Sequence, residues 1–283
     1  AYPWLGRQKL EHLLEAAERS NASLTFTADS RAGVDLLEVA ASDHGRTLPV
    51  MLKVDVGLHR CGVDPTGAEL EAVARAIADS GHLDLVGLLS HAGHSYAAST
   101  RAAVRTIAEE ERRLMLAAVD RLATIGISGL AVSVGATPTV LAHADFEGIR
   151  QIRPGNYVFC DLTQVRLGLV DLHDVALFVV ATVVSTGPGR AVIDAGSKCL
   201  SSDMAPHSGK AVGYGLAFPL EGDLEIDQGL RVQRLSEEHG VVANEGNRLS
   251  LGDRVRASSS APTGSSSSRA CSPPARFCAC ARS

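Results

Sequence analysis

A chain of 283 residues, 45 % apolar and 21 % charged, has enough material for a buried core and does not depend on disulfides to hold one. Its net charge of −5, with no basic stripe or basic helix, speaks against nucleic acid as a partner. No apolar run approaches the roughly 20 residues that span a bilayer and no signal peptide opens the chain, so the expectation is a cytoplasmic protein without a membrane partner.

Helix-like and strand-like runs alternate from the start. RQKLEHLLEAAERS (7–20) sets Leu10, Leu13, Leu14 and Ala17 at a helical period. LTFTADS (24–30) follows as a strand, and AGVDLLEVAASDHG as a second helix. LPVMLKVDVG (48–57) is almost continuously apolar, as a strand buried on both faces is. TGAELEAVARAIADSG gives a third helix, LDLVGLLSHAGH (83–94) the next strand, and a long helix runs from about Thr100 to Ile125. SGLAVSVGATPT (128–139) and IRQIRPGNYVF (149–159) read as two more strands.

This alternation predicts a parallel sheet covered by helices, and the short turns after the strands favour a (β/α) barrel over an open sheet. About five strands are legible where a closed barrel needs eight. The expected fold class is therefore α/β: a partial (β/α)8 TIM barrel over residues 1–164, followed by an all-β domain over 165–256. In the latter, ALFVVATVVSTGPGRAVIDAG (176–196) reads as two strands around a Pro-Gly turn, and LRVQRLSEEHGVVANEGNRLSLGDRVR (230–256) as more short strands with turns between. The opening AYPWLG reads as the end of a strand rather than a natural start. Cys61, Cys160 and Cys199 read as reduced thiols.

In such barrels the chemistry sits at the C-terminal ends of the strands. Those ends are Asp29-Ser30, Asp55 to Arg60, His91 to His94, Gly135 to Thr139 and Arg153 to Tyr157, polar and glycine-rich throughout. Gly135-Ala136-Thr137 and Gly155-Asn156-Tyr157 are either a phosphate cradle or two tight turns. Asp55 and Arg60 either form a salt bridge that organises their loop or serve the site. His91 and His94 are candidate metal ligands, or rings that stack on a flat cofactor or are hydrogen-bonded in the pocket wall. Lys198 is a nucleophile or a surface lysine, and Glu238 with His239 faces a domain interface or closes a solvated hairpin.

Taken in order, LKVDVGLHRCGV, GLLSHAGHSY, SVGATPT, IRPGNYVFCD, IDAGSK and LSEEHG resemble D-threonine aldolase and D-serine dehydratase-like proteins. The resemblance covers about residues 1–256. It implies the alanine-racemase type of barrel, pyridoxal phosphate (PLP), a C-terminal β domain, a homodimer in the full-length family and a small β-hydroxy-D-amino acid as substrate. It also implies the site residues: Gly135, Ala136, Thr137, Gly155, Asn156 and Tyr157 would bind the cofactor, with His91 against its ring and Arg60 at the active-site wall. Lys53 matches a supporting lysine. The family's Schiff-base lysine segment has no counterpart in this chain, and neither has the His-x-Cys segment that holds its zinc or manganese. No metal ligand is therefore assigned, and the chain as it stands is expected to be inactive. An amino-acid racemase of the same fold, with Tyr214 as its acid/base, and a non-catalytic PLP-binding protein are the alternatives.

After Arg256 the strand pattern ends. Residues 257–283 hold nine serines, six alanines, three prolines, three arginines and three cysteines, with no acidic residue. They read as a disordered, low-complexity tail. With 23 of the 27 basic residues arginine and only Lys9, Lys53, Lys198 and Lys210 lysine, the codons are GC-rich, and a shifted reading frame is the expected origin of the tail.

Overall fold

The computed structural model describes residues 2–202, 213–226 and 229–259, together with the backbone of Phe277–Ala279. Most of the tail, residues 260–276 and 280–283, lies outside the described residues. The chain forms two compact units, residues 1–95 with 102–154, and residues 96–101 with 155–283.

The first unit runs α1 (Arg7–Ser20), β1 (Phe26–Ala28), α2 (Arg31–Asp43), β2 (Leu48–Lys53), α3 (Ala68–Ala78), β3 (Leu83–Leu89), α4 (Arg101–Thr124), β4 (Ala131–Val134), α5 (Thr137–Ala142) and β5 (Gln151–Ile152). Its five strands lie in chain order, β1-β2-β3-β4-β5, and each neighbouring pair is parallel. Parallel strands in sequential order, with a helix in each crossover, form the arc of a (β/α) barrel. The helices bury the faces that their periods predict. In α1 these are Leu10, Leu14 and Ala17; in α3, Leu70, Val73, Ala74 and Ile77. Ser30 caps α2 by accepting from Gly33 N–H at 3.3 Å. One continuous core, from Leu10 to Val134, fills the space between helices and sheet.

The strands are shorter than the apolar runs that mark them. β2 ends at Lys53, β3 at Leu89 and β4 at Val134, and the chain then leaves the sheet to build loops. GATPT is not the end of a strand. Gly135 has φ +151°, turns the chain out of β4, and Thr137–Ala142 is helical. A proline in the first helical turn costs no hydrogen bond, which is why Pro138 fits there. The opening stretch, Tyr2 to Gly6, is irregular and not strand.

The second unit contains a short α6 (Leu162–Arg166) and the strands β6 (Leu177–Gly187), β7 (Arg190–Ile193), β8 (Gly215–Pro219), β9 (Leu230–Leu235), β10 (Gly240–Ala243), β11 (Arg254–Ser259) and β12 (Phe277–Ala279). Neighbours in the order β11-β8-β9-β10-β7-β6 are antiparallel, and β11 pairs back onto β6, so six strands close a barrel. β12 pairs with the start of β6. Val179, Ala181, Val183, Ile193, Val232 and Val255 are among the residues of its main core. A smaller cluster gathers Leu162, Leu172, Phe178 and Phe218.

β11 continues three residues past the point where the alternation ends. Ala257, Ser258 and Ser259 pair with Ala217, Leu216 and Gly215 and are buried. The expectation that disorder begins at residue 257 is corrected here. Residues this small fit a tight barrel wall, and Ser259 Oγ accepts from Ser201 N–H at 3.1 Å. Gly215, at φ +155°, lies so close to Ser258 that a side chain there would strike its carbonyl oxygen. Among the described residues, no helix is long and apolar enough to cross a membrane.

Candidate functional site

Parallel pairing aims all the strand ends of the first unit in one direction. Asp29, Lys53 to Asp55, Ser90 with His91, Gly135 and Arg153 therefore gather at one end of the sheet. Asp29 accepts the N–H of Gly62 at 2.9 Å, which ties the loop after β2 to the end of β1.

Three cations, Lys53, Arg60 and Arg153, lie at this end with the carboxylates of Asp29, Asp55 and Glu111. Lys53 is only 3 % exposed. Burial holds its ammonium below the ordinary value; Cys61 and Asp29 oppose that effect, while Arg153 and Arg60 reinforce it. The Arg153 guanidinium donates from Nε to Ser133 Oγ at 2.8 Å and from Nη2 to the carbonyls of Ser90 and Ser133. Burial lowers its pKa as well, and the Glu111 carboxylate raises it. Arg60 is exposed, and its charge is felt by both Lys53 and His91.

His91 is half-buried. Its Nδ1–H donates to the Gly135 carbonyl at 2.6 Å. Burial holds the ring below its usual pKa, against the pull of that hydrogen bond, and the neighbouring Arg60, Lys53 and Arg153 charges act in the same direction as burial. Burial thus favours the neutral form of the His91 ring, which is anchored on one side. His94 packs over Gly57, with Nδ1 buried and unpartnered among the described residues. Among those residues, no group of three or more His, Cys, Asp and Glu is arranged to hold a metal ion.

The loop after β2 is organised by Asp55, but not through Arg60. Asp55 Oδ1 accepts from Gly57 N–H and His59 N–H, each at 3.0 Å, and Oδ2 lies 3.0 Å from His59 Nδ1. These bonds hold its carboxyl below the usual range, although burial, the largest single influence, acts the other way.

The turn after β4 is narrower as a candidate cradle than its glycine promises. Gly135 N–H goes to Glu111 Oε1 at 3.5 Å, and Ala136 N–H goes to Thr139 Oγ1 at 3.3 Å. Thr137 is fully buried at the head of α5. In the second unit, Gly155 precedes a single helical turn, Asn156–Val158, and Tyr157 is 57 % exposed. Asn156 donates to Asp161 Oδ2 at 2.7 Å, and Asp161 caps α6 through Thr163 N–H and Gln164 N–H. Gln164 is fully buried, and neither its amide oxygen nor its amide nitrogen has a partner among the described residues.

Lys198 is a surface lysine. It pairs with Glu237 at 3.3 Å and Glu238 at 2.5 Å, which raises its pKa and makes it a poor nucleophile. Ser236 to His239 close the hairpin between β9 and β10, and Glu238 is 60 % exposed there, so it belongs to the solvated hairpin. Tyr214 packs against the core of the β barrel. Cys61, Cys160 and Cys199 are free thiols.

Two residues of this end escape a reading of the sequence. Arg153 is visible as part of a strand end, but not as the hub of a hydrogen-bond network. Glu111 hides in the charged run AEEERR. Its only signal is register: it falls in step with Val104, Ala108, Met115, Ala118 and Leu122, the inward stripe of α4.

Residues 4–163 match the family model for the alanine racemase N-terminal domain, and residues 176–260 that for the serine dehydratase domain. The chain is 33 % identical over 250 residues to D-threo-3-hydroxyaspartate dehydratase of Delftia sp. (strain HT23), covering 84 % of this chain and 65 % of that one. The solved structure of that Delftia enzyme superposes with a TM-score of 0.82 at 31 % identity, covering 90 % of this chain and 70 % of that one. A crystal structure of D-threonine aldolase from Filomicrobium marinum gives a TM-score of 0.74 at 26 % identity, over 91 % and 67 % of the two chains. The chain thus spans just under two thirds of the length of the Delftia relative.

Proposed function

The chain belongs to the alanine racemase N-terminal domain family, and from that membership we propose that the protein is a PLP-dependent lyase acting on β-hydroxy-D-amino acids. The observation that carries the proposal is the crowding of Lys53, Arg60 and Arg153 around an anchored His91 at the strand ends. Mutually repelling cations in a partly buried site are stabilised by an anion, and a phosphorylated, phenol-bearing ring supplies negative charge at two places. The residues present therefore fit the cofactor. The names of the relatives point the same way, since a dehydratase and an aldolase both break a bond beside a β-hydroxyl.

Bound PLP would supply an electron sink for the bond broken at the substrate's Cα. The chain's own groups would bind and orient it, while the family's Schiff-base lysine and His-x-Cys metal ligands have no counterpart in this sequence. Arg60 and Lys53 would hold the anionic cofactor by charge, Thr137 would donate its hydroxyl to the phosphate, and His91 would stand beside the ring. Because Gly135 and Ala136 already give their N–H groups to Glu111 and Thr139, their part is to shape the turn.

Equilibrium binding of PLP tests the site directly. Saturable binding is expected, weakened about tenfold or more by Arg60→Ala and by Thr137→Val, since a charge-assisted or hydroxyl bond to phosphate contributes on that scale. Unsaturable binding, or affinities that no variant changes, would overturn the proposal. The reaction is read from products: a 2-oxo acid and ammonia mark a dehydratase, whereas an aldehyde and glycine mark an aldolase. Release of neither from D-serine, D-threonine or D-threo-3-hydroxyaspartate by the PLP-loaded full-length protein would refute lyase activity.

A further inference from the structure

α4 turns one stripe inward, in which Val104, Ala108, Met115, Ala118 and Leu122 are apolar and buried. The sixth member, Glu111, is a carboxylate only 1 % exposed. A buried carboxylate is costly unless donors meet it, so its place in the stripe calls for a task.

Two donors converge on one of its oxygens. Ser90 Oγ–H donates to Oε1 at 2.6 Å, and Gly135 N–H reaches the same atom at 3.5 Å. Ser90 directly follows β3, and Gly135 directly follows β4, so one carboxylate oxygen ties two strand ends together. Gly135 is the point that needs tying. At φ +151°, glycine has more backbone alternatives than any other residue. Its carbonyl is also the acceptor for His91 Nδ1–H.

We infer that Glu111 is a positioning residue for His91: by holding Ser90 and Gly135 it aims the Gly135 carbonyl at Nδ1 and fixes the imidazole as the tautomer with a bare Nε2. A carbonyl can only accept, so the shared proton sits on Nδ1 and the neutral ring carries none on Nε2. Glu111 also faces Arg153, His94 and His143, whose charged forms its carboxylate favours. Reach, not charge, is what the His91 bond requires. The inference leans on the proposed cofactor site only for what His91 serves; the tautomer is read without cofactor.

The test is the ¹⁵N signature of the histidine rings in the purified protein, with His91 identified by the resonance that His91→Gln removes. The wild type is expected to show Nδ1–H in excess by about tenfold, the ratio that one firm hydrogen bond gives. Glu111→Gln keeps an oxygen of the same reach and loses the charge; its His91 is expected to match the wild type. Glu111→Asp keeps the charge and retracts the oxygen by one methylene; its His91 is expected to lose most of the excess. A wild-type tautomer ratio in Glu111→Asp, or a lost one in Glu111→Gln, overturns the inference. PLP affinity measured on the same samples separates the two ideas, since a cofactor site can fail while the tautomer result stands.

Discussion

At the scale of single residues, Lys53 shows what the sequence can and cannot say. The LKVDVG motif marks it as special, but its burial depends on where β2 ends and on Arg60, Cys61 and Arg153 closing around it, and those residues come from different stretches of chain. The consequence is a pH effect of definite sign. Burial holds the folded-state pKa below the ordinary 10.5. Between the lowered value and 10.5 the unfolded chain carries a proton that the folded chain has released, so stability rises with pH across that window. Urea titrations at neutral pH and again just below 10.5 are expected to show this gain in the wild type. Lys53→Met should flatten it and leave the protein at least as stable at neutral pH, since a charge no longer has to be buried. A variant as steep as the wild type would show that Lys53 is not the source.

At the scale of elements, the sequence carried periods well and ends poorly. The helix expected over 7–20 is α1, and the long helix expected from about Thr100 to Ile125 is α4. Apolar periodicity survives folding because it is the packing itself. The strand ends were overrun because a pattern of apolar residues says nothing about where a partner stops pairing. α5 was missed because GATPT reads as the continuation of a strand until the positive φ of Gly135 breaks it. β8 was missed because GLAFP is short and bounded by glycine and proline. The stripe of α4 allows a sharp contrast. Leu122 is fully buried in the main core, and Leu122→Ala is expected to cost about 2–5 kcal/mol by lost burial and a cavity. Arg105, on the exposed side, pairs with Glu109 one turn on, so Arg105→Ala should cost well under about 1 kcal/mol. Denaturant midpoints at a common slope measure both; equal losses would mean that the helix register is wrong.

At the scale of the whole molecule, the division of the chain was visible as a change from helix–strand alternation to strands alone, but closure of the β barrel was not. β6 and β11 are far apart in sequence, and their pairing is set by the circumference that six strands enclose rather than by any local signal. Ligand linkage acts at this same scale, because a cofactor that binds only the folded state stabilises everything that folds with it. At about 100 times its Kd, PLP should add about 2.7 kcal/mol to the stability. The unfolded chain offers few competing sites, since its lysines are only Lys9, Lys53, Lys198 and Lys210. The thermal midpoint is therefore expected to rise with PLP concentration in the wild type and to rise much less in Arg60→Ala. Pyridoxal without its phosphate should give a smaller rise than PLP, because the cationic strand ends would then meet a ligand with less charge. If pyridoxal matched PLP, binding would owe nothing to the phosphate, and the assignment of Thr137 and the surrounding cations to that group would fall.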